Sequence, residues 1–135
     1  MESKIIPADL SKLDEVIEFV DKIAADASFP ADKRGKIHLA VEEVFVNIAS
    51  YAYPSGEGEA RISCSIVLDP RRIRIEFSDK GIPFDPLAQE DADTSEEALL
   101  GREGGLGILL VKKIMDNVSY CRENGRNILT IEKNL

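Results

Sequence analysis

The sequence is poor in several residue types that mark particular classes of protein. Among its 135 residues there is no tryptophan, one histidine and two cysteines, and aromatic residues make up 6%. Cys64 and Cys121 lie far apart without a CxxC pair, so we expect reduced thiols in a cytoplasmic protein rather than a disulfide framework or a zinc site. The N-terminal stretch MESKIIPADL lacks the basic start and the apolar core of a signal peptide.

Long apolar runs and an excess of positive charge are also missing. No apolar run approaches the length of about 20 residues that crosses a bilayer, so no membrane association is expected. The 17 Lys and Arg residues are outnumbered by 25 Asp and Glu, and the resulting net charge of −8 argues against general nucleic-acid binding. An anionic ligand would have to be held by local features such as backbone N–H groups, a metal ion or a few placed cations.

What is present fits one globular domain over residues 1–135, with 44% hydrophobic and 31% charged residues. Apolar periodicity and turn residues predict the order strand, helix, helix, strand, strand, loop, helix, strand, strand. The predicted strands are 4–7, 60–68, 71–79, 118–123 and 126–135, and the predicted helices are 9–27, 31–52 and about 105–116. This order favours an α+β fold, a two-layer α/β sandwich with a mixed, mostly antiparallel sheet and helices on one face. Residues 80–104 show no strong period and are predicted to form a long, mobile loop, which at that length is usually either functional or disordered.

The second predicted helix carries a carboxylate and a carboxamide beside its apolar stripe. Glu43 and Asn47 are four residues apart in EEVFVNIASYAYP, so they share one face of the helix. A carboxylate can take a proton from a hydroxyl or orient a water, and an amide oxygen can hold a hard cation such as Mg²⁺. A solvated surface pair is the alternative interpretation. Glu42, one residue off this face, is a spare candidate.

Two further motifs follow along the chain. In SDKGIPFDP, Asp79 ends an alternating strand, where its carboxylate can accept a hydrogen bond from an amino group, and Gly81 would let a flat ring approach the backbone. In GREGGLGILLVKK, glycines at 101, 104, 105 and 107 lead into a helix, whose free N–H groups suit an anion. An ordinary turn and an ordinary helix start are the alternatives. The pattern is not the P-loop, which needs GxxxxGK[ST].

In this order the motifs resemble those of the GHKL ATPase superfamily, which has the Bergerat ATP-binding fold. The resemblance covers nearly the whole chain. Glu43 and Asn47 match its N box, Asp79 and Gly81 its first glycine box, and Gly105-Leu106-Gly107 its second. DKGIPFDP, GGLGILLVKKIMD and the closing GRNILTIEK are similar to the small stand-alone branch, the bacterial anti-sigma-factor serine/threonine kinases.

The resemblance implies a role for each matching residue. Glu43 would be the general base, and Asn47 would ligate Mg²⁺. Asp79 would accept from the adenine amino group, Gly81 would give the ring room, and Thr130 would support the adenine through a water. The backbone of Gly104, Gly105, Leu106 and Gly107 would hold the phosphates of ATP. Residues 87–104 would form a lid over the nucleotide.

The chain also departs from the pattern of its relatives. Tyr51 stands where relatives often carry a histidine or a basic residue, and Pro83 replaces the second glycine of the usual sensor-kinase motif. The expected lid is rich in acids, which cannot face phosphates. Arg102 is its lone cation, and we expect it to meet the phosphates when the lid closes, the alternative being a plain surface arginine.

The function implied by the resemblance is an ATP-dependent serine/threonine protein kinase that is also an anti-sigma factor. It would phosphorylate an anti-sigma-factor antagonist and sequester a sigma factor, as a homodimer, with no nucleic-acid or membrane partner. The alternative is a regulatory module that binds ATP and protein partners without significant phosphoryl transfer. The catalytic half of a sensor histidine kinase fits less well, because we expect the one histidine, His38, to be a plain helix-surface residue and expect no dimerisation helix pair before the domain.

Overall fold

Five antiparallel strands form a single sheet in the spatial order β1-β2-β3-β5-β4. The computed structural model describes residues 1–54, 56–88 and 106–135, and all statements here concern those residues. The strands are β1 (Glu2–Pro7), β2 (Glu59–Val67), β3 (Arg72–Asp79), β4 (Asn117–Glu123) and β5 (Arg126–Asn134). Every strand pairing in this described part is antiparallel, so the predicted sheet is right in type and contains no parallel pair.

Three helices cover one face of the sheet, as predicted. They are α1 (Leu13–Asp26), α2 (Ala31–Tyr51) and α3 (Leu106–Ile114), and a 3-10 turn (Leu10–Lys12) precedes α1. The helices bury apolar side chains at helical spacing against strand residues at spacing two, which is the pattern that a two-layer sandwich requires. The fully buried large side chains are Phe45, Phe77, Ile37, Ile62, Ile73, Ile75, Ile131, Val16, Val20, Val41, Val44 and Val111.

Alternation along the two central strands decides which side chains can reach the helices. In β3, Ile73, Ile75, Phe77 and Asp79 point to the helical layer, and in β5 the same face carries Asn127, Leu129, Ile131 and Lys133. The register places Asp79 opposite Asn127 and Phe77 opposite Leu129. The helix-facing side of these two strands is therefore apolar in its middle, with Lys133 at one end and the Asp79–Asn127 pair at the other.

The last hairpin has the turn that its sequence predicts. Asn124 and Gly125 both have positive φ, 52° and 73°, as a type I′ turn between β4 and β5 requires. Because this turn fixes the β4–β5 register, it also decides which β5 residues lie beside β3.

The predicted irregular loop over 80–104 is corrected in its first part. Residues Pro86–Ala88 form a 3-10 turn, and the side chain of Asp85 accepts a hydrogen bond from the N–H of Leu87 at 2.8 Å. The segment before this turn is hydrogen bonded to the sheet and to α2, so it is part of the folded scaffold. The rest of the predicted loop lies outside the described residues. None of the helices in the described chain is both long enough and apolar enough to span a bilayer.

Candidate functional site

Asp79 is a buried carboxylate at the end of β3, with 4% of its surface exposed. Its Oδ1 accepts two hydrogen bonds, one from the N–H of Gly81 at 2.9 Å and one from Nδ2 of Asn127 at 2.9 Å. These donors offset the cost of burying the carboxylate. Within the described ranges Oδ2 accepts no hydrogen bond, so one oxygen of Asp79 is available to a ligand.

Gly81 lies against the C-terminal end of α2. A Cβ built on Gly81 would overlap the carbonyl oxygen of Ala52, and the N–H of Ile82 donates to that same oxygen at 3.0 Å. One of the carbonyls left unpaired at a helix end is thereby satisfied by the strand-to-loop turn. Because Gly81 has no side chain, the turn after β3 can lie directly against the end of α2 and hydrogen bond to it.

Asp79 and Asn47 line the same pocket, between α2, the sheet and α3. Its described lining is mostly apolar and aromatic, with a few polar groups, which is the usual character of a small-molecule site. The lining residues are Val44, Asn47, Ile48, Tyr51, Ala52, Phe77, Asp79, Phe84, Pro86, Ile108, Tyr120, Asn127 and Leu129. Tyr51 and Phe84 stack at its mouth, with ring centroids 6.3 Å apart and 29° between the planes.

Glu43 borders this pocket from one turn earlier on α2 and does not line it. Its carboxylate lies against the first turn of α3, where a Cβ built on Gly107 would overlap Oε2 of Glu43. Gly107 is next to Ile108, which does line the pocket. The structure therefore brings Asn47 and Asp79 to one pocket, with the predicted base beside it at the first turn of α3 and Gly81 against the end of α2.

Thr130 does not reach the pocket, and the role predicted for it is corrected. Thr130 pairs with Glu76 of β3 and Ser119 of β4, and adjacent residues of a strand point to opposite faces of a sheet. It is therefore on the face away from the helices. Asn127, three residues earlier and in phase with Leu129, is the β5 residue that contacts Asp79.

Asn127 is a residue of the candidate site that sequence reasoning missed, since it lines the pocket and donates to Asp79. Its alternation with the core residues Leu129 and Ile131 was the available signal, but its pairing with Asp79 depends on the β3–β5 register. Tyr120 of β4 was missed for the same reason, and its hydroxyl donates to Oδ1 of Asn127 at 2.5 Å. Burial raises the pKa of Tyr120, so the hydroxyl keeps its proton at neutral pH.

The glycine-rich motif is only partly described. Arg102, Gly104 and Gly105 lie outside the described residues, so the roles predicted for them stay predictions. Leu106 is the first residue of α3, and Gly107 follows it within the first turn. The N-terminus of α3 is therefore next to Glu43, which is where the prediction puts the phosphate groups.

The residues present fit ATP with Mg²⁺. A mostly apolar pocket containing a carboxylate with a free oxygen suits a flat ring that carries an amino group. The amide of Asn47 offers the hard oxygen ligand that Mg²⁺ prefers, and Mg²⁺ usually takes most of its other ligands from water and substrate phosphates. In the described part of the chain, no group of three or more His, Cys, Asp or Glu side chains is placed to hold a metal by itself.

Comparisons with known proteins place this geometry in a family. The family model described as histidine kinase-like ATPase domain matches residues 6–133. Serine-protein kinase RsbW of Listeria monocytogenes serovar 1/2a is 27% identical over 111 residues, which are 79% of this chain and 70% of that protein. Serine-protein kinase RsbW of Staphylococcus aureus strain JH9 is 32% identical over 96 residues, covering 67% of this chain and 59% of the relative.

Solved structures agree on the fold. A chain in the SiaB-SiaC complex from Pseudomonas aeruginosa matches with a TM-score of 0.67 and 14% identity, over 100% of this chain and 90% of that one. The blue-light activated histidine kinase of Erythrobacter litoralis EL346 matches with a TM-score of 0.58 and 21% identity, over 78% of this chain and 31% of that one. With the family model covering nearly all of the sequence, these matches confirm the predicted fold, and the chain belongs to the histidine kinase-like ATPase domain family.

Proposed function

We propose that this chain is an ATP-dependent serine/threonine protein kinase and anti-sigma factor. It would phosphorylate an anti-sigma-factor antagonist and sequester a sigma factor. The relatives named serine-protein kinase confirm the expected enzyme class, a protein serine/threonine kinase. The observation that carries the proposal is the placement of Asn47 and Asp79 on one pocket, with Glu43 at the end where α3 begins.

The base of ATP would occupy the Asp79 end of the pocket. The free Oδ2 of Asp79 would accept a hydrogen bond from the adenine amino group, while Oδ1 stays bound to Gly81 and Asn127. Phe77, Ile48 and the other apolar lining residues would cover the faces of the ring. The apolar burial of the ring would supply most of the affinity at this end, and Asp79 would supply the orientation.

The phosphates would lie toward the first turn of α3. Phosphoryl transfer depends mostly on positioning and on neutralising charge, which matters more here because the protein itself carries a net charge of −8. The backbone of Gly104, Gly105, Leu106 and Gly107 would bind the phosphates, and Arg102 would add a positive charge. Mg²⁺, when bound through Asn47, would neutralise phosphate charge.

Glu43 would be the general base. Its carboxylate would accept the proton of the attacking serine or threonine hydroxyl of the substrate protein as that oxygen bonds to the γ-phosphorus and the bond to ADP breaks. A well-placed base contributes about 10²–10⁴-fold to the rate. Gly107 permits this placement, because only a residue without a side chain leaves room for the Glu43 carboxylate at α3.

The partners belong to the proposal as well. We propose a cytoplasmic homodimer that binds either the sigma factor or its antagonist, as expected from the branch that the motifs resemble. The similarity to proteins named serine-protein kinase RsbW supports a protein substrate rather than a small molecule.

The proposal is tested by incubating the chain with Mg²⁺, γ-labelled ATP and the candidate antagonist encoded beside it. We expect labelled antagonist with wild type, and a loss of about 10²-fold or more in turnover with Glu43→Gln. Glu42→Gln is the matched control, because Glu42 is the adjacent carboxylate on α2 and does not share the face of Glu43 and Asn47. Its turnover should match that of wild type.

Two outcomes would contradict parts of the proposal. Tight ATP binding without labelling of any antagonist would favour the regulatory module that binds ATP without transfer. Equal loss of turnover in Glu42→Gln and Glu43→Gln would remove Glu43 from its role as the base.

A further inference from the structure

Asn127 has all of its amide hydrogen-bonding capacity in use. Its Nδ2 donates to Oδ1 of Asp79 at 2.9 Å and to the carbonyl of Ile82 at 2.8 Å. Its Oδ1 accepts from the hydroxyl of Tyr120 at 2.5 Å and from the N–H of Phe84 at 3.3 Å. An amide side chain has two donors and two acceptor lone pairs, so none remains for a ligand. Asn127 is 7% exposed, and its contacts are part of the wall of the pocket.

The segment that follows Asp79 is fixed by the same group of contacts. Besides the two backbone contacts to Asn127, the carbonyl of Gly81 accepts from Nη1 of Arg122 at 2.9 Å, and the N–H of Ile82 donates to Ala52. Side chains from β4 and β5 and the end of α2 therefore hold residues 81–84 in one conformation. This segment carries Phe84, which lines the pocket mouth, and it leads into the 3-10 turn Pro86–Ala88.

We infer that Asn127, supported by Tyr120, is a positioning residue that makes the pocket selective for a 6-amino purine over a 6-oxo purine. The inference rests on the proposed nucleotide site and adds to it the group that sets its selectivity. Asn127 acts through Asp79, which lines the pocket. With two donors on Oδ1 the carboxylate cannot turn, and Oδ2, which has no donor among the described residues, is left as a fixed acceptor for a ligand. A fixed acceptor binds the 6-amino group of adenine and repels the exocyclic 6-carbonyl oxygen of a 6-oxo purine. Both effects increase the preference for the 6-amino purine.

Removal of the Asn127 side chain should weaken both the attraction of Asp79 for the 6-amino group and its repulsion of a 6-oxygen. In Asn127→Ala, Oδ1 of Asp79 keeps only the N–H of Gly81, so the carboxylate can turn toward water. The amino group of ATP then loses a well-placed acceptor, and the 6-carbonyl oxygen of inosine triphosphate no longer faces a fixed negative charge. A hydrogen bond to a charged group contributes roughly tenfold or more to an equilibrium constant. We therefore expect the preference for ATP, measured as the ratio of its affinity to that of inosine triphosphate, to fall by about tenfold or more in Asn127→Ala.

The experiment measures the dissociation constants of ATP and inosine triphosphate, each with Mg²⁺, by calorimetry on the full chain. The variants are Asn127→Ala and Tyr120→Phe, with Ser63→Ala as the control. Ser63 bonds to Ser3 at 2.9 Å on the other face of the sheet, so its loss removes one hydrogen bond far from the pocket. Tyr120→Phe keeps both donors of Asn127 and should narrow the ratio by a smaller factor, roughly two- to fivefold.

The isosteric variant Asn127→Asp tests the positioning role by the pH dependence of ATP affinity. A purely structural role of Asn127 would not change this pH dependence. It places a second carboxyl beside Oδ1 of Asp79, and two carboxyls at hydrogen-bonding distance share one proton, whose pKa is raised. As the pH rises and the pair loses this proton, repulsion should displace Asp79. The affinity of this variant for ATP, relative to wild type at the same pH, should fall as the pH rises.

The outcomes distinguish this inference from the proposed function. Unchanged affinity ratios in both Asn127→Ala and Tyr120→Phe, with the Asn127→Asp affinity parallel to wild type at every pH, would overturn it. If Asn127→Ala does not fold, the affinity ratio of Tyr120→Phe and the pH dependence of Asn127→Asp test the inference by themselves. Selective ATP binding without phosphoryl transfer would overturn the kinase and leave this inference standing, whereas wild type that binds neither nucleotide would overturn both.

Discussion

Oε2 of Glu43 occupies the space that a side chain at Gly107 would need. The two residues are far apart in the chain, and they meet because α2 and α3 pack side by side on the sheet. In the sequence, Gly107 belongs to a glycine-rich motif whose obvious use is close approach to phosphates. In the structure it has a second use, since it lets a carboxylate of α2 lie at the N-terminal end of α3.

Gly107→Ala should therefore lower turnover more than it lowers stability. The atom that a Cβ would meet is the end of a flexible side chain, so the chain can accommodate alanine by moving Glu43. We expect kcat to fall by at least about tenfold, because a displaced base loses much of its contribution, with a smaller change in KM for ATP. Steady-state kinetics with the antagonist measures both constants.

The matched control for this variant is Gly35→Ala. Gly35 lies within α2, and a Cβ there would meet nothing within 4 Å. Alanine at that site should raise the free energy of unfolding by up to about 1 kcal/mol and leave kcat unchanged. A wild-type kcat in Gly107→Ala would contradict the proposed placement of the base.

Gly81→Ala, unlike Gly107→Ala, should cause a large loss of stability. Here the Cβ would overlap the backbone carbonyl of Ala52, which cannot move without disturbing the end of α2. We expect the free energy of unfolding to fall by about 1–3 kcal/mol, as overpacking typically costs, and ATP binding to weaken because Asp79 and α2 separate. Urea unfolding measures the first effect, and an unchanged midpoint would show that the contact is not tight.

The elements of the fold could be predicted because each carries its own local signal. The helices α1 and α2 keep apolar residues at helical spacing, β2 and β3 alternate, and Asn124-Gly125 predicts the type I′ turn that the structure has. Glu43, Asn47, Asp79 and Gly81 could be singled out because motif spacing is also local. In each case the information lies within a few residues.

The β5 contribution to the site could not be predicted in the same way. Thr130 and Asn127 lie on opposite faces of β5. Because side chains alternate along a strand, an error of one residue in the predicted alternation moves every side chain to the other face. Ile128 and Leu129 are both apolar, so alternation alone did not settle which face is buried. The β3–β5 register, which pairs Asp79 with Asn127, is a long-range property of the sheet.

The two cysteines should differ sharply in reactivity. Cys64 is buried in β2, and burial raises its pKa to about 12, whereas Cys121 is exposed on β4. The thiolate is the reactive form, so a thiol reagent at pH 8 should modify one thiol per folded chain and two after denaturation. Cys121→Ser should abolish the fast reaction and Cys64→Ser should keep it. Fast modification of Cys64 would mean that β2 is less protected than the structure shows.

Glu132 should contribute stability that disappears in acid. Burial by itself would raise its pKa, but hydrogen bonds from Arg72 at 2.9 Å and Arg74 at 3.0 Å outweigh this and hold the pKa below the usual 4.5. A lowered pKa in the folded state means stability that is present above about pH 4.5 and is lost as the pH falls through the folded-state pKa. Glu132→Gln should lower the free energy of unfolding at pH 7 by about 1–2 kcal/mol and flatten its decline in acid.

The control for Glu132 is an exposed ion pair. Glu15 lies 4.0 Å from Lys4 and 3.9 Å from Lys12, with half of its side chain exposed, so Glu15→Gln should change stability little at any pH. Urea unfolding from pH 3 to pH 7 compares the two variants. Equal pH profiles for wild type and Glu132→Gln would contradict the assignment.

A thermal-shift titration with Mg-ATP tests most directly whether these segments form one nucleotide site. At a concentration 100 times the dissociation constant, bound nucleotide should stabilise the wild-type chain by about 2.7 kcal/mol, and Asp79→Ala should lose most of the shift at the same concentration. If millimolar Mg-ATP does not raise the melting temperature of the wild-type chain, these segments do not form a nucleotide site.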